Sequence, residues 1–311
     1  MRVLVTGGAG FIGSHITDTL MARGDDVLVI DNLSTGLREN LNPGVHFEQV
    51  DIRDLSKLEK VFQDFKPEAV THLAAHIDLR ESFKDPVHDA QNNIVGSLNI
   101  LKLMSDFGTR KIVFSSTGGA IYGEAKQIPT PENYPEIPAS PYGISKLAVE
   151  HYLEVWQKLH GIEYVALRYA NVYGQRQGGK GEAGVTAIFA KKMLRGEPIE
   201  IFGDGRQTRD YVYVADVVAA NLAALEFNGS GVFNIATGVE TSVNEIYEKL
   251  SKLLNYTAPS VNVPAVRGEI LRSALDASRA KKELGWGPKV SLDEGLAKTG
   301  EFFKKANAKS S

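Results

Sequence analysis

The sequence of 311 residues contains no cysteine, which excludes disulfide bonds and thiolate-ligated zinc sites. It also carries little net charge, −3 at pH 7, so neither a nucleic-acid partner nor an anionic membrane partner is expected. No apolar run approaches the ~18–20 residues that a membrane span needs. The first residues, MRVLVTG, already resemble a strand, so we expect no secretory leader. These absences predict a soluble cytoplasmic protein without a metal site.

Short β-branched segments alternate with helical patterns through the first half of the sequence. The predicted strands are Arg2–Thr6, Asp26–Ile30, Val45–Val50, Glu68–Leu73, Lys111–Phe114 and Glu163–Arg168. The predicted helices are Ile12–Arg23, Leu55–Phe65, Val87–Phe107 and Pro141–His160. Because strands that alternate with helices form right-handed βαβ units, this order predicts an α/β fold with a doubly wound parallel sheet of Rossmann type.

The alternation ends near Arg168, where Gly-rich and charged segments interrupt shorter elements. A chain of this length suits one large α/β domain or two closely joined ones. We therefore predict an NAD-binding domain over residues 1–168, to which a later stretch, roughly 211–238, returns. Residues 169–311 are predicted to form mostly a smaller α/β substrate lobe.

A glycine pattern, GAGFIG, follows the first strand and opens the first helix. In that context glycines allow a tight turn and close approach of the backbone to a pyrophosphate at the helix N-terminus. Asp31 ends the second strand, where a carboxylate would bond both ribose hydroxyls and repel a 2′-phosphate, so NAD is favoured over NADP. The alternative is an ordinary βα turn without a ligand. The predicted NAD contacts in this part of the chain are Gly7, Gly10, Phe11, Ile12, Gly13, Asp31 and Asn32.

Asp51 and Ile52 close the third strand, and they are predicted to flank the adenine of the same cofactor. For Asp51 the alternative is a surface acid with no ligand.

Tyr142 and Lys146, in SPYGISK, are four residues apart, which places them on one face of a helix, one turn apart. A free phenol has a pKa of about 10, and a nearby ammonium group lowers it. Tyr142 is therefore a candidate base for the proton of a sugar hydroxyl. The pair is weak evidence alone, because Tyr and Lys at this spacing are common on solvated helices.

The segment FSSTGGAIYG, Phe114 to Gly123, has three hydroxyl side chains at a strand end but no acid, histidine or cysteine. Together with TGGAGFIG and YGISK, it resembles the extended short-chain dehydrogenase/reductase family, most closely UDP-glucose 4-epimerases and related nucleotide-sugar enzymes. Further segments match that family in order along almost the whole chain: HLAA, NIVGSLNIL, RYANVYG, IFGDGRQTRDYVYVADV and RGE.

The resemblance implies roles for residues around the cofactor. Asn93 would support the active-site backbone, and Thr117 would hydrogen-bond the sugar oxygen at C4 and help to relay its proton. Ser115 and Ser116 would line the nicotinamide side, although one of the two hydroxyls is expected only to satisfy backbone groups. The further implied cofactor contacts are Leu73, Ala74, Ala75, Tyr142, Lys146 and Tyr169.

The resemblance also implies a site for a UDP-hexose. Asn171 and Arg209 would contact the diphosphate, since the planar fork of arginine binds phosphate bidentately; a surface ion pair of Arg209 with Asp210 is the alternative. Arg267 and Glu269 would hold the second phosphate and the uridine ribose. The further implied substrate contacts are Thr117, Tyr142, Gly184, Val185, Ile201, Phe202 and Ser273.

Gly118 and Gly119 stand where related dehydratases have an Asp-Glu pair, and related decarboxylases have a Glu nearby. Without an acid there, a 4-keto sugar has no easy route to elimination and can only take hydride back. The resemblance therefore implies an NAD-dependent isomerase that interconverts UDP-glucose and UDP-galactose. The small Ser273 at the position that gates substrate size implies that N-acetylated sugars fit as well.

Three other functions remain open at this point. A UDP-glucuronate 4-epimerase or decarboxylase would need a cation near the C6 carboxylate, for which Arg80 or Arg176 would serve. A nucleotide-sugar reductase would consume reduced cofactor, and a regulator would bind NAD without chemistry. Relatives commonly pair through two long helices, so a homodimer is expected.

Overall fold

A computed structural model describes residues 1–178, 184–265 and 270–310. Its strands, in chain order, are β1 Arg2–Thr6, β2 Asp26–Asp31, β3 His46–Gln49, β4 Ala69–His72, β5 Lys111–Thr117, β6 Glu163–Tyr169, β7 Asn171–Tyr173, β8 Glu200–Phe202, β9 Thr208–Tyr213, β10 Gly231–Ile235, β11 Glu240–Ser242 and β12 Val261–Val263. Its α-helices are α1 Phe11–Arg23, α2 Leu55–Phe65, α3 Leu79–Lys84, α4 Pro86–Ala90, α5 Gly96–Phe107, α6 Gly118–Ile121, α7 Pro141–His160, α8 Val185–Leu194, α9 Val214–Glu226, α10 Val243–Leu254, α11 Ser278–Glu283 and α12 Leu292–Ser310. A 3₁₀ turn, Arg38–Asn40, and a π turn, Gln91–Val95, complete the described elements.

The large sheet has seven parallel strands in the order β10-β6-β5-β4-β1-β2-β3. Its inner strands are near-continuous apolar runs because both faces are covered, whereas the edge strand β3 is mostly exposed. Side chains such as Val3 and Val5 pack on α1 and α9, whereas Leu4 points to the opposite face, under α2, α5 and α7. The predicted doubly wound fold of Rossmann type is therefore confirmed.

The second half of the chain adds β10 to one edge of this sheet and otherwise builds smaller units. These are a three-stranded sheet, β11-β9-β7, and a two-stranded one, β12-β8. An apolar cluster of side chains from β7, β9, α8, α10 and α12 packs beneath them. The domain limits at residues 168 and 169 stay a prediction.

The predicted helix Val87–Phe107 is helical throughout, but its regular α-helical course is interrupted, since it consists of α4, the π turn and α5 in direct succession. A π turn takes more residues per turn than an α-helix, and such turns are frequent at functional sites. Here the turn contains Asn93, and it is followed at once by Gly96, where an added Cβ would lie 2.5 Å from Ile52 Cδ1. Hydrophobic periodicity does not report an inserted residue, so the sequence pattern shows one continuous helix.

A buried chain of hydrogen bonds ties β1 to β4 and to α5. The Thr6 hydroxyl lies 2.6 Å from His72 Nδ1, and His72 Nε2 lies 2.9 Å from the Ser97 hydroxyl. Thr6 Oγ1 also accepts the amide protons of Leu73 and Ala74. This network fixes the backbone that leaves β4 towards the glycine turn.

His72 predicts a loss of stability in acid. Its burial lowers the pKa of the imidazole to about 3, whereas an unfolded chain binds that proton near pH 6.5. The free energy of unfolding should therefore fall as pH drops below 6.5, by up to about 1.4 kcal/mol per pH unit from this residue. Urea unfolding measured at pH 7 and at pH 5 should show that the free energy of unfolding falls less between these pH values in His72→Gln than in the wild type. Equal losses in both proteins would contradict this assignment.

Candidate active site

The turn between β1 and α1 is shaped by glycines that no other residue could replace. Gly7 has φ of +69°, and a Cβ there would lie 2.7 Å from the Ala74 amide nitrogen. A Cβ on Gly13 would lie 2.3 Å from the Gly7 carbonyl oxygen. No side chain among the described residues caps α1 at Gly10, so the first amide groups of the helix can bind an anion.

Asp31, at the carboxyl end of β2, lies beside this turn. Its carboxylate accepts hydrogen bonds from the amides of Ala9, at 3.0 Å, and Leu33, at 2.8 Å. Burial raises its pKa, and these two backbone bonds oppose the shift. The glycine turn, the helix N-terminus and a carboxylate at the end of β2 together fit an adenine dinucleotide.

Asp51 lies next to the same edge of the sheet. It accepts a hydrogen bond from Asn32 at 3.0 Å and forms an ion pair with Arg53 at 2.7 Å. The hydrogen bond from Arg53 holds the pKa of the Asp51 carboxyl well below its usual range. Ile52 is buried under Gly96. The predicted adenine contacts of Asp51 and Ile52 stay predictions.

Asn93, in the π turn, joins three elements around the active-site backbone. Its amide oxygen accepts from the His76 amide at 2.7 Å, and its amide nitrogen donates to the His76 carbonyl at 2.9 Å. The same nitrogen lies 3.0 Å from Asp89 Oδ1 and 3.1 Å from the Ser145 hydroxyl. The loop that carries Ala75 is thereby fixed to α4 and α7.

Tyr142 and Lys146 lie on the first two turns of α7, which Ser140 caps and Pro141 begins. The Lys146 ammonium donates to the Ser115 carbonyl at 2.8 Å and lies 6.0 Å from the centroid of the Tyr142 ring. Burial lowers the pKa of Lys146 to about 8, and the charges of Asp89 and Glu150 oppose that shift. The ammonium group is therefore charged at neutral pH and lies over the phenol ring.

The three hydroxyls at the end of β5 have different surroundings. Thr117 caps α6, and its hydroxyl oxygen accepts the Ala120 amide proton at 3.3 Å, so its own proton is left to donate. Ser115 lies 3.1 Å from the Tyr169 hydroxyl, which also accepts from Asn221. Burial raises the pKa of Tyr169 to about 12, so that residue stays protonated.

Ser116 points to the opposite face of β5 from Ser115 and donates to a buried carboxylate, Glu150. Both oxygens of Glu150 accept from Arg168 Nε at 3.1 Å, and Arg168 also donates to Tyr122 and Glu136. This network is not among the predicted site residues. The available signal was Glu150, four residues after Lys146 on the same helix, together with an arginine inside an apolar strand.

The predicted substrate residues lie in the second half of the chain. Asn171 begins β7, and Arg209 lies in the neighbouring strand β9, where its guanidinium donates to the Thr208 carbonyl at 2.8 Å. Asp210 is buried and accepts four hydrogen bonds, from the amides of Thr237, Gly238 and Leu275 and the Thr237 hydroxyl, so it is not a surface acid.

The other predicted substrate contacts are spread over three segments. Gly184 caps α8, and Val185 is its first residue. On β8, Ile201 is buried and Phe202 is exposed, with the Arg80 guanidinium 5.6 Å from the Phe202 ring centroid. Arg267 and Glu269 lie outside the described residues. Ser273 is half-buried in the segment that follows.

The described residues contain no cluster of three or more metal-ligating side chains and no helix long and apolar enough to cross a membrane.

The chain is similar to known proteins over its whole length. Residues 3–236 match the model of the NAD dependent epimerase/dehydratase family. UDP-glucose 4-epimerase of Thermotoga maritima, solved with UDP-glucose, is 51% identical with a TM-score of 0.97, over 99% of this chain and 100% of that one. UDP-glucose 4-epimerase of Thermus thermophilus, solved with NAD, is 44% identical with a TM-score of 0.94, over 98% and 100%. UDP-N-acetylglucosamine 4-epimerase of Methanobrevibacter ruminantium, solved with UDP-N-acetylmuramic acid, is 36% identical with a TM-score of 0.93, over 98% of each chain. This chain belongs to the NAD dependent epimerase/dehydratase family.

Proposed function

We propose that the protein is an NAD-dependent 4-epimerase that interconverts UDP-glucose and UDP-galactose through a transient 4-keto sugar. The observation that carries the proposal is the buried Lys146 ammonium over the Tyr142 ring, beside a strand end whose Thr117 is followed by two glycines. Relatives solved with UDP-glucose and with NAD support it, at identities of 51% and 44%.

The glycine turn and the strand ends fit NAD. The first amides of α1 would hold the pyrophosphate. At Gly7 and Gly13 an added Cβ would collide with neighbouring backbone, so only glycine fits there. At Gly10 the nearest atom to an added Cβ is the Gly7 carbonyl oxygen, at 3.2 Å. The Asp31 carboxylate would accept from the ribose hydroxyls. Bound there, NAD would supply the hydride acceptor for C4 of the hexose and the hydride donor for the return to its opposite face.

Tyr142 acts on the hexose hydroxyl at C4. The Lys146 charge favours its phenolate, which removes the hydroxyl proton and later gives it back. Thr117 donates to the same sugar oxygen, since its own oxygen is held by the Ala120 amide. With no carboxylate at Gly118 or Gly119, nothing at those positions moves the proton at C5, and the keto sugar is reduced again.

The nucleotide end of the substrate is held more firmly than the sugar. Asn171 and Arg209 would bind the diphosphate from neighbouring strands, with Arg267 and Glu269 on the second phosphate and the ribose. A hexose with few anchors can turn over in the pocket while its nucleotide stays bound, which inversion at C4 requires.

The proposal is tested by incubating the purified protein with UDP-galactose, without added cofactor, and following the sugar by NMR. Appearance of UDP-glucose supports both the reaction and a tightly bound NAD. No conversion even after NAD is added overturns the proposal. UDP-glucuronate would then be the next substrate, because Arg80 at Phe202 places a cation near the predicted substrate residues.

Ser273 predicts that UDP-N-acetylglucosamine is also a substrate, and a relative named for that sugar supports this. A larger side chain should fill the space of the acetamido group, so Ser273→Tyr should lose turnover of the N-acetylated sugar by roughly 10- to 100-fold and keep that of UDP-glucose. The measurement is kcat/KM on both sugars, with Ser273→Ala as the control. A wild type inactive on the N-acetylated sugar would contradict the prediction.

We also propose a cytoplasmic homodimer that serves galactose metabolism; the absence of cysteine supports the location. Apolar side chains line one exposed face of α7, at Ile144, Val155 and Leu159, and Val87 and Val95 are exposed on the adjoining helical segment. Sedimentation should give a dimer for the wild type and a monomer for Leu159→Glu. Leu271→Glu is the control, since Leu271 is similarly exposed, 63% against 70%, but lies in another part of the chain.

A further inference from the structure

Gly118, directly after Thr117, is in unusually close contact with a distant part of the chain. A Cβ on Gly118 would lie 2.2 Å from Leu275 Cδ1, 3.0 Å from its Cδ2 and 3.2 Å from its Cγ. Both residues are buried. The volume of any side chain at position 118 is therefore already occupied by Leu275. At Gly119, by contrast, an added Cβ would meet no described atom within 4 Å.

Leu275 belongs to an extended segment, residues 271–276, which we call the strap. On one side, the Thr208 amide of β9 donates to the Leu271 carbonyl at 2.9 Å. On the other side, Thr130 exchanges two backbone hydrogen bonds with it, to the Ala274 carbonyl and from the Asp276 amide, each 2.9 Å long.

Two polar groups hold the strap further. The Leu275 amide donates to the buried Asp210 carboxylate at 3.3 Å, and Arg272 pairs with Glu240 at 2.6 Å. These bonds hold Ser273 and Leu275 in one anchored backbone segment, two residues apart.

We propose that Leu275 is a positioning residue that sets the width of the hexose pocket. Its side chain, in contact with Gly118, holds the strap at a fixed distance from Thr117 and thereby fixes how far Ser273 stands from the reacting end of the sugar. The inference deepens the proposed function and rests on it. The same contact occupies the space that an acidic side chain after Thr117 would need.

The test uses the substitutions Gly118→Ala and Leu275→Ala, alone and combined. In Gly118→Ala the new methyl group should push the strap outward. Overpacking of this kind should lower kcat/KM for UDP-glucose by about tenfold or more. The ratio of kcat/KM for UDP-N-acetylglucosamine to that for UDP-glucose should rise several-fold, because the pocket widens at Ser273. Removing the leucine side chain as well should return both values towards those of the wild type.

Leu275→Ala alone keeps the inference testable if Gly118→Ala does not fold. Its ratio of kcat/KM for UDP-N-acetylglucosamine to kcat/KM for UDP-glucose should differ from that of Leu271→Ala, the same substitution at an exposed position of the same strap. Equal ratios in these two variants, or a double variant no better than Gly118→Ala, would overturn the inference. Calorimetric affinities for the two nucleotide sugars report the preference between them without any turnover. An inactive wild type would therefore refute the proposed reaction, while the inference about Leu275 could still be tested by binding.

Discussion

Tyr142→Phe is expected to lower turnover of UDP-galactose by roughly 10²- to 10⁴-fold, the usual contribution of a positioned proton-transfer group. Phenylalanine keeps the ring under the Lys146 ammonium, which lies 6.0 Å from its centroid, and removes only the hydroxyl. The NAD content should be unchanged, because the glycine turn and Asp31 are not altered. Initial rates, and NAD released on denaturation, measure the two quantities.

The matched control for this variant is Tyr152→Phe. Tyr152 lies on the same helix with an exposed side chain, so its loss of a hydroxyl should leave the rate within about twofold. If Tyr142→Phe keeps a tenth or more of the wild-type rate, Tyr142 does not carry the proton and the mechanism fails. If the variant loses NAD as well as activity, Tyr142 also holds the cofactor. Rates with excess NAD then separate a binding defect from a proton-transfer defect, because added NAD rescues only the binding defect.

Local signals account for what the sequence predicted well. The predicted bounds of two helices, Leu55–Phe65 and Pro141–His160, agree with the structure. Asp54 caps the first helix, which has strong hydrophobic periodicity. Ser140 caps the second, which begins with a proline. Strands β1 to β6 of the large sheet were predicted from short β-branched runs, whereas β10, at its edge, was not predicted as a strand. These features depend on neighbours within one turn or one strand, which a sequence shows directly.

The contacts that the sequence did not show are long-range. Ser116 and Ser115 look alike in FSSTGG, yet the strand sends them to opposite faces, and only the fold places Glu150 under one of them. From the sequence, Gly118 is notable only because related enzymes have an acidic residue at that position. The structure shows that Leu275, far away in the sequence, fills the space that a side chain at position 118 would take. No spacing rule connects residues so far apart.

Lys146→Met should lower turnover at pH 7 by about 100-fold or more, because methionine keeps much of the length and apolar volume but removes the charge that favours the Tyr142 phenolate. The pH dependence carries the sharper test. Burial lowers the pKa of Lys146 to about 8, so the wild-type ammonium is charged at pH 7 and loses its proton as pH rises through 8.

The advantage of the wild type over Lys146→Met should therefore be largest below pH 8 and shrink above it, while the residual activity of the variant rises towards pH 10, where an unassisted phenol ionises. Rates measured from pH 6 to 10 give both curves. Lys158→Met, an exposed lysine on the same helix, should follow the wild-type profile throughout. A constant ratio between wild type and Lys146→Met across this range would mean that Lys146 acts through its hydrogen bond to the Ser115 carbonyl and not through its charge.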